Sequence, residues 1–402
     1  METSDARQVS RSSVLAAIAT AGQATRAQLA GATGLSASTV SRVTDSLLAD
    51  GLIAEGAPVE SGQRGRNAVS LTVRTDLGLV CGIDLGATNC RFLLANMLGA
   101  PVALSHEPTP AGIGAAALAE WLGSRVGRLV ADAGTAAGEA RAVVVGLPGM
   151  VTPDGSTITA APNVPQIEGQ MFARKLTRAM PAPVTLYNDA DLALLGEMRF
   201  GAGRGLPRAV MFTIGTGLGA GVYLDGALLR GRCGMVGEFG YLQTGPSGER
   251  AEELLSGTGL LRQATALRAP VTDAAQVFAP ELEGLLGPVL ERFDRALVLT
   301  LVAAIVAYDP SVIILGGGLS PAISRRLTVT RSRLTATLPA VPELRLAELG
   351  DLSGALGALV VACQQAFAAL GVSPADAAAL PPARLLRRLW ARSAHGVRYA
   401  RP

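Results

Sequence analysis

The stretch TRAQLAGATGLSASTVSRVTDSLLADGLI, residues 25–53, most constrains what this chain can fold into. Thr25 can cap a short helix over residues 26–33, and Gly34 suits the left-handed backbone that ends such a helix. Ser36 can then cap a second helix. Aliphatic residues in that helix recur at the spacing of one buried face: Val40, Val43, Leu47 and Leu48. The pattern predicts a helix-turn-helix.

The exposed face of the second helix is small and polar near its N-terminus. Hydroxyls can bond phosphates and an arginine can read guanine or phosphate, so this face suits a DNA major groove. The expected DNA contacts are Ser36, Ser38, Thr39, Ser41 and Arg42. Downstream, SGQRGRNAVSLTV predicts a wing hairpin whose Arg64 and Arg66 could reach the minor groove or backbone. The alternatives are a three-helix scaffold that binds protein and a solvated hairpin.

Charge and hydropathy limit the classes of protein that fit. The net charge is only +3, so binding to double-stranded DNA would need a local patch and a dimer. Four cysteines are scattered without CxxC spacing, and Cys81 and Cys90 lie in apolar strand-like runs, which predicts buried free thiols in a reducing compartment. The start lacks a secretory signal, and the apolar run at 296–307 falls short of the roughly 20 residues that span a bilayer. We therefore expect a cytoplasmic protein without a membrane partner.

The pattern of apolar residues changes after residue 75. Short apolar strands alternate with Ala-rich helices, which indicates an α/β domain over residues 76–370. The expected strands are Leu79–Asp84, Phe92–Asn96, Val143–Gly146, Val184–Tyr187, Val210–Ile214 and Val312–Leu315. Related turns at DLGATN and IGTGLGAG suggest two duplicated halves with a ligand cleft between them. Residues 371–402 form an Arg-rich tail, interpreted as solvated rather than as a further contact with nucleic acid.

Three glycine-rich turns follow strands in the α/β domain. In the first, Asp84 could hold Mg²⁺ through water, Gly86 permits close approach of a phosphate, and Thr88 offers a hydroxyl. The second and third turns could cradle further phosphates or an adenosine. Each turn alone could equally be an ordinary tight turn. The predicted nucleotide-binding residues are Asp84, Gly86, Thr88, Gly215, Thr216, Gly217, Gly219, Gly317 and Gly318.

With these turns in this order, the chain resembles the ROK family of repressors, open reading frames and sugar kinases, from Ser10 to about Leu370. The resemblance implies a duplicated actin-like ATPase (ribonuclease H-like) fold, here joined to a winged helix-turn-helix. It also implies a homodimer or homotetramer. Repressor members of the family carry the winged helix-turn-helix and respond to sugars, whereas its stand-alone kinases lack that unit.

The resemblance also implies a site for a sugar or sugar phosphate. Motifs that match the family's sugar pocket place Gly149, Asn163, Asn188, Asp189, Glu238, Tyr241 and Glu252 there. Asp189 would be the catalytic base if the protein phosphorylates its sugar. Ordinary surface acids or helix caps are the alternative for these carboxylates. Asp189 in particular could simply cap the helix that follows it.

Several positions depart from the family pattern. Tyr241 replaces a histidine that normally binds both the sugar and a structural zinc, and the loop after it, GPSGER, contains no cysteine. We therefore predict that zinc is absent, and we assign no residue as a direct metal ligand. Ala87 and Asn89 stand where a glycine and a lysine are usual, which should weaken the hold on phosphate. ATP and Mg²⁺ remain possible cofactors.

Two functions from different classes follow. The first is a sugar-responsive DNA-binding transcriptional regulator of carbohydrate metabolism, most simply a repressor. The second is an ATP-dependent kinase for a hexose or N-acetylhexosamine, alone or combined with DNA binding. A protein-interaction module has little support beyond the fold.

Overall fold

The computed structural model of the chain describes residues 2–59, 68–134 and 138–382. An N-terminal unit of three helices and a small sheet comes first, and two α/β lobes follow it. The wing arginines Arg64 and Arg66 lie outside the described residues, as do the tail arginines from Arg384 onward.

The N-terminal unit forms where the sequence predicts it. Its elements are α1 (Glu2–Ala21), β1 (Ala24–Thr25), α2 (Arg26–Thr33), α3 (Ala37–Ala49), β2 (Ile53–Val59) and β3 (Ala68–Val73). Thr25 and Gln28 form a reciprocal capping box at the start of α2, and Gly34 ends that helix at φ 69°. The Ser36 side chain accepts a hydrogen bond from the backbone N–H of Thr39 at 3.2 Å. The predicted helix bounds and caps are confirmed.

The first lobe is built on a five-stranded sheet. Its elements are β4 (Leu79–Leu85), β5 (Asn89–Asn96), β6 (Pro101–Pro108), α4 (Ala115–Ala133), β7 (Ala140–Leu147), β8 (Met150–Val151), β9 (Ile158–Thr159), α5 (Met171–Ala179), β10 (Val184–Asn188) and α6 (Asp189–Phe200). The sheet order is β6-β5-β4-β7-β10, in which β4, β7 and β10 are parallel.

The second lobe repeats that arrangement. Its strands are β11 (Arg208–Ile214), β12 (Leu218–Leu224), β13 (Ala227–Leu228), β14 (Val312–Gly316) and β15 (Glu343–Leu346). Its helices are α7 (Ala251–Leu255), α8 (Gly257–Ala266), α9 (Glu283–Tyr308), α10 (Ser320–Ile323) and α11 (Leu327–Thr337). The chain then returns to the first lobe, where α12 (Ser353–Ala369) packs on α6 and the sheet and α13 (Pro374–Ala377) packs on α12.

The two five-stranded sheets have the same topology. The order β13-β12-β11-β14-β15 matches the first sheet strand for strand, with a parallel trio followed outward by two antiparallel strands. The expected duplication is therefore present in the connectivity. All six expected strands form, but β6, β12 and β15 were missed because their apolar patterns are short or rich in glycine.

Among the described residues, α12 belongs to the one stretch that is long and apolar enough to be compared with a membrane span. The stretch Gly350–Ala369 is long and apolar enough to cross a membrane by length and composition. However, 72% of its most apolar window is buried inside the structure, where α12 packs on α6 and on β4 and β7. Such burial is typical of a core helix, so this stretch is weak evidence for a span.

The crossing of α6 and α12 depends on two glycines. A Cβ on Gly357 would lie 1.8 Å from the carbonyl oxygen of Leu192, and one on Gly196 would lie 2.3 Å from that of Ser353. Beside them, the fully buried Glu197 side chain accepts hydrogen bonds from the backbone N–H groups of Ala202, Glu348 and Leu349, at 2.8, 3.1 and 2.8 Å. These contacts fix α6 against the start of α12.

We expect Gly357→Ala to lower the free energy of unfolding by about 3 kcal/mol, the upper end for overpacking, because a backbone carbonyl cannot rotate away as a side chain can. Gly127→Ala, in the middle of α4 with nothing within 4 Å, is the matched control. The control should gain about 0.5–1 kcal/mol from helix propensity. Urea unfolding followed by circular dichroism measures both. Equal stability of Gly357→Ala and wild type would contradict the close crossing.

Candidate functional site

The two lobes enclose a cleft of about 720 Å³. Most of the residues predicted to bind sugar or nucleotide line this one cleft: Gly86, Thr88, Gly149, Asn163, Asn188, Asp189, Gly215, Thr216, Gly217, Gly219, Glu238, Tyr241, Glu252 and Gly317. Asp84 and Gly318 are not part of its lining. The fold thus gathers residues from distant parts of the sequence, although their binding roles stay predictions.

Asn188 and Asp189 stand where β10 ends and α6 begins. The Asn188 side-chain oxygen caps α6 by accepting from the backbone N–H groups of Ala190 and Asp191, at 2.9 and 3.1 Å. The Asn188 amide also donates to the carbonyl of Gly149 at 3.0 Å. The cap of α6 is therefore Asn188, whereas Asp189 accepts one bond from the N–H of Ala190 at 2.8 Å and faces the cleft.

Two glutamates approach the same part of the cleft from the second lobe. Glu252, on α7, accepts a hydrogen bond from the backbone N–H of Leu218 at 2.9 Å. A Cβ on Gly217 would lie 3.2 Å from Glu252 Oε1 and 3.5 Å from Asn163 Nδ2, so these two polar groups converge on one point. Glu238 precedes the short 3₁₀ turn Phe239–Tyr241 and lines the cleft nearby.

Three carboxyl groups of the cleft, those of Asp189, Glu238 and Glu252, have raised pKa values. Burial, followed by the charges of Asp189 and Glu252, raises the pKa of Glu238 to about 7. Burial also raises the pKa values of Asp189 and Glu252, against opposing hydrogen bonds from the backbone. A cluster of acceptors of this kind gains most from a ligand that donates several hydroxyl hydrogens.

A pH dependence of stability follows from Glu238. Its folded-state pKa lies above its ordinary value, so its contribution to stability is lost as pH rises from about 4.5 to about 7. Glutamine cannot ionise. The melting temperature of Glu238→Gln minus that of wild type should therefore be larger at pH 8 than at pH 5. Thermal unfolding of both proteins at the two pH values measures this difference. An unchanged difference would contradict the buried, raised carboxyl.

The first glycine turn contains an ion pair that the sequence did not predict. Arg91 lines the cleft two residues beyond Asn89, and its guanidinium lies 3.8 Å from Asp84 and 2.7 Å from Asp351. Burial and the charge of Asp189 raise the pKa of Asp84 to about 7, although Arg91 opposes the shift. The Arg91 guanidinium already supplies a positive charge beside Asp84, which disfavours a second cation such as Mg²⁺ at this carboxyl.

The glycine turns themselves fit the close approach of a ligand. Gly149 has φ 97°, and a Cβ there would lie 2.7 Å from the carbonyl oxygen of Thr159. Gly317 has φ 84°, and a Cβ there would lie 2.5 Å from the carbonyl oxygen of Ile214. Both positions accept only glycine, and they leave backbone rather than side chains at the cleft wall.

Tyr241 stands at the rim of the cleft with 45% of its surface exposed. The guanidinium of Arg250 lies 5.2 Å from the centre of its ring. Cys233 is exposed, and no group of three or more metal-ligating side chains occurs among the described residues. The absence of zinc stays a prediction. Arg250 and Arg91, which both line the cleft, were not predicted from the sequence.

The predicted DNA-contacting face of α3 is accessible. Ser36, Ser38 and Arg42 are exposed, and Thr39 and Ser41 are half-buried. Two nearby arginines form ion pairs: Arg11 lies 2.6 Å from Asp50, and Arg26 lies 3.0 Å from Asp45. Within the described ranges the Arg42 side chain has no such partner. Among the described residues, the start of α3 therefore presents Arg42 as an unpaired cation beside hydroxyl groups.

Comparison with known proteins covers both parts of the chain. A sequence model described as the ROK family matches residues 80–365, and one described as the MarR family matches residues 8–65. Glucokinase of Streptomyces coelicolor is 30% identical in an alignment of 319 positions, which covers 70% of this chain and 96% of that protein. The xylose repressor of Caldicellulosiruptor bescii is 28% identical over 177 residues, 44% of each protein.

One solved structure spans almost the whole chain. It is described as a ROK family transcriptional regulator, a homolog of the E. coli MLC protein, and it covers 93% of this chain and 99% of its own. The TM-score is 0.75 at 21% identity, a likeness that bears on the fold. The predicted combination of a winged helix-turn-helix with a sugar-kinase-like fold is confirmed.

Proposed function

The chain belongs to the ROK family, and we propose that it is a transcriptional regulator, most simply a repressor, whose cleft binds a sugar. It is a ROK protein with a DNA-binding domain. The observation that carries the proposal is the exposed Arg42 among the hydroxyls of α3, which has no ion-pair partner in the described ranges, in the same chain as the polar cleft. The genes it controls would belong to carbohydrate metabolism.

The chemistry of the cleft favours a polyol. Asn163, Glu238 and Glu252 supply amide donors and carboxylate acceptors at one end of the cleft. A sugar presents several hydroxyls, each a donor and an acceptor, so one molecule can satisfy these groups together. A ligand without the matching hydroxyls would leave buried polar groups unpaired, which disfavours its binding.

Contacts between the cleft and the DNA-binding unit run through α6 and the start of the C-terminal tail. Arg199, in the last turn of α6, donates to the carbonyls of Ala378 and Leu380. Asp376 accepts a hydrogen bond from Ser12 on α1, and the Ser373 N–H donates to Ser12 at 2.7 Å. Because α6 begins at Asp189 in the cleft, a sugar that favours one arrangement of the lobes can bias the placement of α1.

The DNA-binding form is proposed to be a homodimer or a homotetramer. A dimer would place two α3 helices in successive major grooves, about 34–36 Å apart. The small net charge of +3 supports this proposal, because one unit alone attracts DNA weakly.

A thermal-shift screen of hexoses, N-acetylhexosamines and pentoses, with and without ATP, tests the sugar site. The proposal predicts a rise in melting temperature with one class of sugar in the absence of ATP. If no sugar shifts the melting temperature of wild type in either condition, the proposed sugar site is wrong.

A sugar kinase is the second candidate, favoured by Asp189. Asp189 faces the cleft that the glycine turns also line, where a carboxylate could accept the proton of a sugar hydroxyl. The Asp84–Arg91 pair and Asn89 count against a bound nucleotide with its metal. We expect no ADP release above background in a coupled assay with the sugar that binds. ADP release that Asp189→Asn abolishes would make the kinase the better account.

A further inference from the structure

A second cavity of about 290 Å³ is lined by the C-terminal half of α6, whereas the cleft is lined by the first residue of that helix, Asp189. It is enclosed by α6, α12, α13 and the hairpin of β12 and β13. Its polar lining consists of Tyr187, Arg199, Tyr223, Arg230 and Gln364. None of the residues that line it also lines the cleft described above.

The charge of this cavity is uncompensated. No aspartate or glutamate is among its lining residues, and neither arginine forms an ion pair within the described part of the chain. Arg199 bonds only backbone carbonyls, through Nη2, which leaves its Nε and Nη1 without a partner among the described residues. Arg230 stacks 4.1 Å from the centre of the Tyr187 ring and donates only to backbone carbonyls, those of Pro153 at 3.2 Å and of Thr152 and Leu186 at 3.4 Å each, so its charge has no carboxylate partner among the described residues.

Asp191 is the acid whose pKa responds to Arg230, but it does not neutralise the two arginines. The charge of Arg230 lowers the pKa of Asp191, but burial outweighs that influence and raises the pKa to about 7. Burial therefore disfavours the charged form of Asp191. The cavity holds two guanidinium groups, the hydroxyl of Tyr223 and no full counter-charge.

We propose that this cavity binds the phosphate group of a small phosphorylated ligand. Guanidinium groups donate in a planar fork that matches phosphate oxygens, and partial burial strengthens such bonds. The volume is just below the range of pockets that hold drug-sized molecules, so it suits inorganic phosphate or a small phosphomonoester. This site is separate from the sugar cleft, and its existence does not depend on the proposed regulatory function.

The ligand would contact the segment that holds the DNA-binding unit. Pro374 and Ala378, at the two ends of α13, line the cavity, and α13 packs against α1. The site thus lies where a phosphorylated metabolite would meet both α6 and the tail.

Isothermal titration of the full chain with sodium phosphate and with glycerol 1-phosphate, at constant ionic strength, tests the site. We expect one phosphate group to bind per chain. Tighter binding of glycerol 1-phosphate would identify the ligand as a phosphomonoester, whereas equal binding would identify free phosphate. Both results support the phosphate site, and no binding of either probe by wild type overturns it.

Three variants locate the binding. Arg230→Ala removes a cation, and Ala227→Glu adds a carboxylate to the cavity lining without removing a side-chain hydrogen bond. Each should weaken phosphate binding at least tenfold. Arg204→Ala removes the same charge from an exposed position outside the cavity and should bind as wild type does. Equal weakening in Arg204→Ala, or unchanged binding in Ala227→Glu, contradicts the assignment.

Discussion

Arg42→Ala is expected to reduce the affinity for operator DNA by about 100-fold or more. A well-placed arginine contact with a base edge contributes about 1–3 kcal/mol, and a dimer loses that contribution in both half-sites. The structure adds that Arg42 is exposed and has no partner among the described residues, so its removal costs no internal ion pair. Fluorescence anisotropy with labelled operator, at a fixed salt concentration, measures the change.

The matched control for Arg42 is Arg204→Ala, an exposed arginine of the second lobe. It should bind operator within about twofold of wild type, because surface charges more than a Debye length from the DNA are screened. If Arg42→Ala binds as tightly as this control, α3 is not the recognition helix.

The second large effect is expected from Glu238→Ala, which should weaken sugar binding by about 100-fold. A hydrogen bond to a charged group contributes about 1.5–3 kcal/mol, and a carboxylate can accept from two sugar hydroxyls. Burial and the charge of Asp189 raise the pKa of this carboxyl. Hydroxyl hydrogens that the sugar donates would stabilise its charged form. Isothermal titration with the sugar identified by thermal shift measures the loss.

Glu120→Ala, on the exposed surface of α4, is the control for the loss of one carboxylate and should bind the sugar normally. Glu238→Ala should still bind operator DNA without sugar, because Glu238 lies in the second lobe and α3 in the N-terminal unit. Retention of full sugar affinity by Glu238→Ala would remove it from the site.

Much of the fold could be predicted because its signals are local. The Thr25 and Ser36 caps, the glycine at 34 and the apolar spacing in α3 each act within a few residues. The strands of the two lobes were recognised where continuous apolar runs lie between turns, as in Val312–Gly316. The strand Leu218–Leu224 was missed because its sequence, LGAGVYL, reads as a glycine-rich turn in its first half.

The features of the site that were not predicted depend on tertiary contacts. Arg91 reads as an ordinary strand residue until the fold places Asp84 and Asp351 beside it. The Asn188 amide was assigned to a sugar, yet its oxygen caps α6 and its nitrogen bonds the Gly149 carbonyl. The tail was interpreted as solvated from residue 371, but its start packs on α1 through Asp376. Apart from the helix cap and Asp84, which lies seven residues before Arg91, these partners are distant in sequence.

Footprinting of the DNA upstream of the chain's own gene, repeated with and without the sugar that stabilises the protein, tests the central claim most directly. A regulator of the proposed kind protects one defined site, and the sugar changes the affinity for that site at least tenfold. A protein that protects no site at any sugar or salt concentration, while it releases ADP from ATP and the same sugar, is a kinase and not the regulator proposed here.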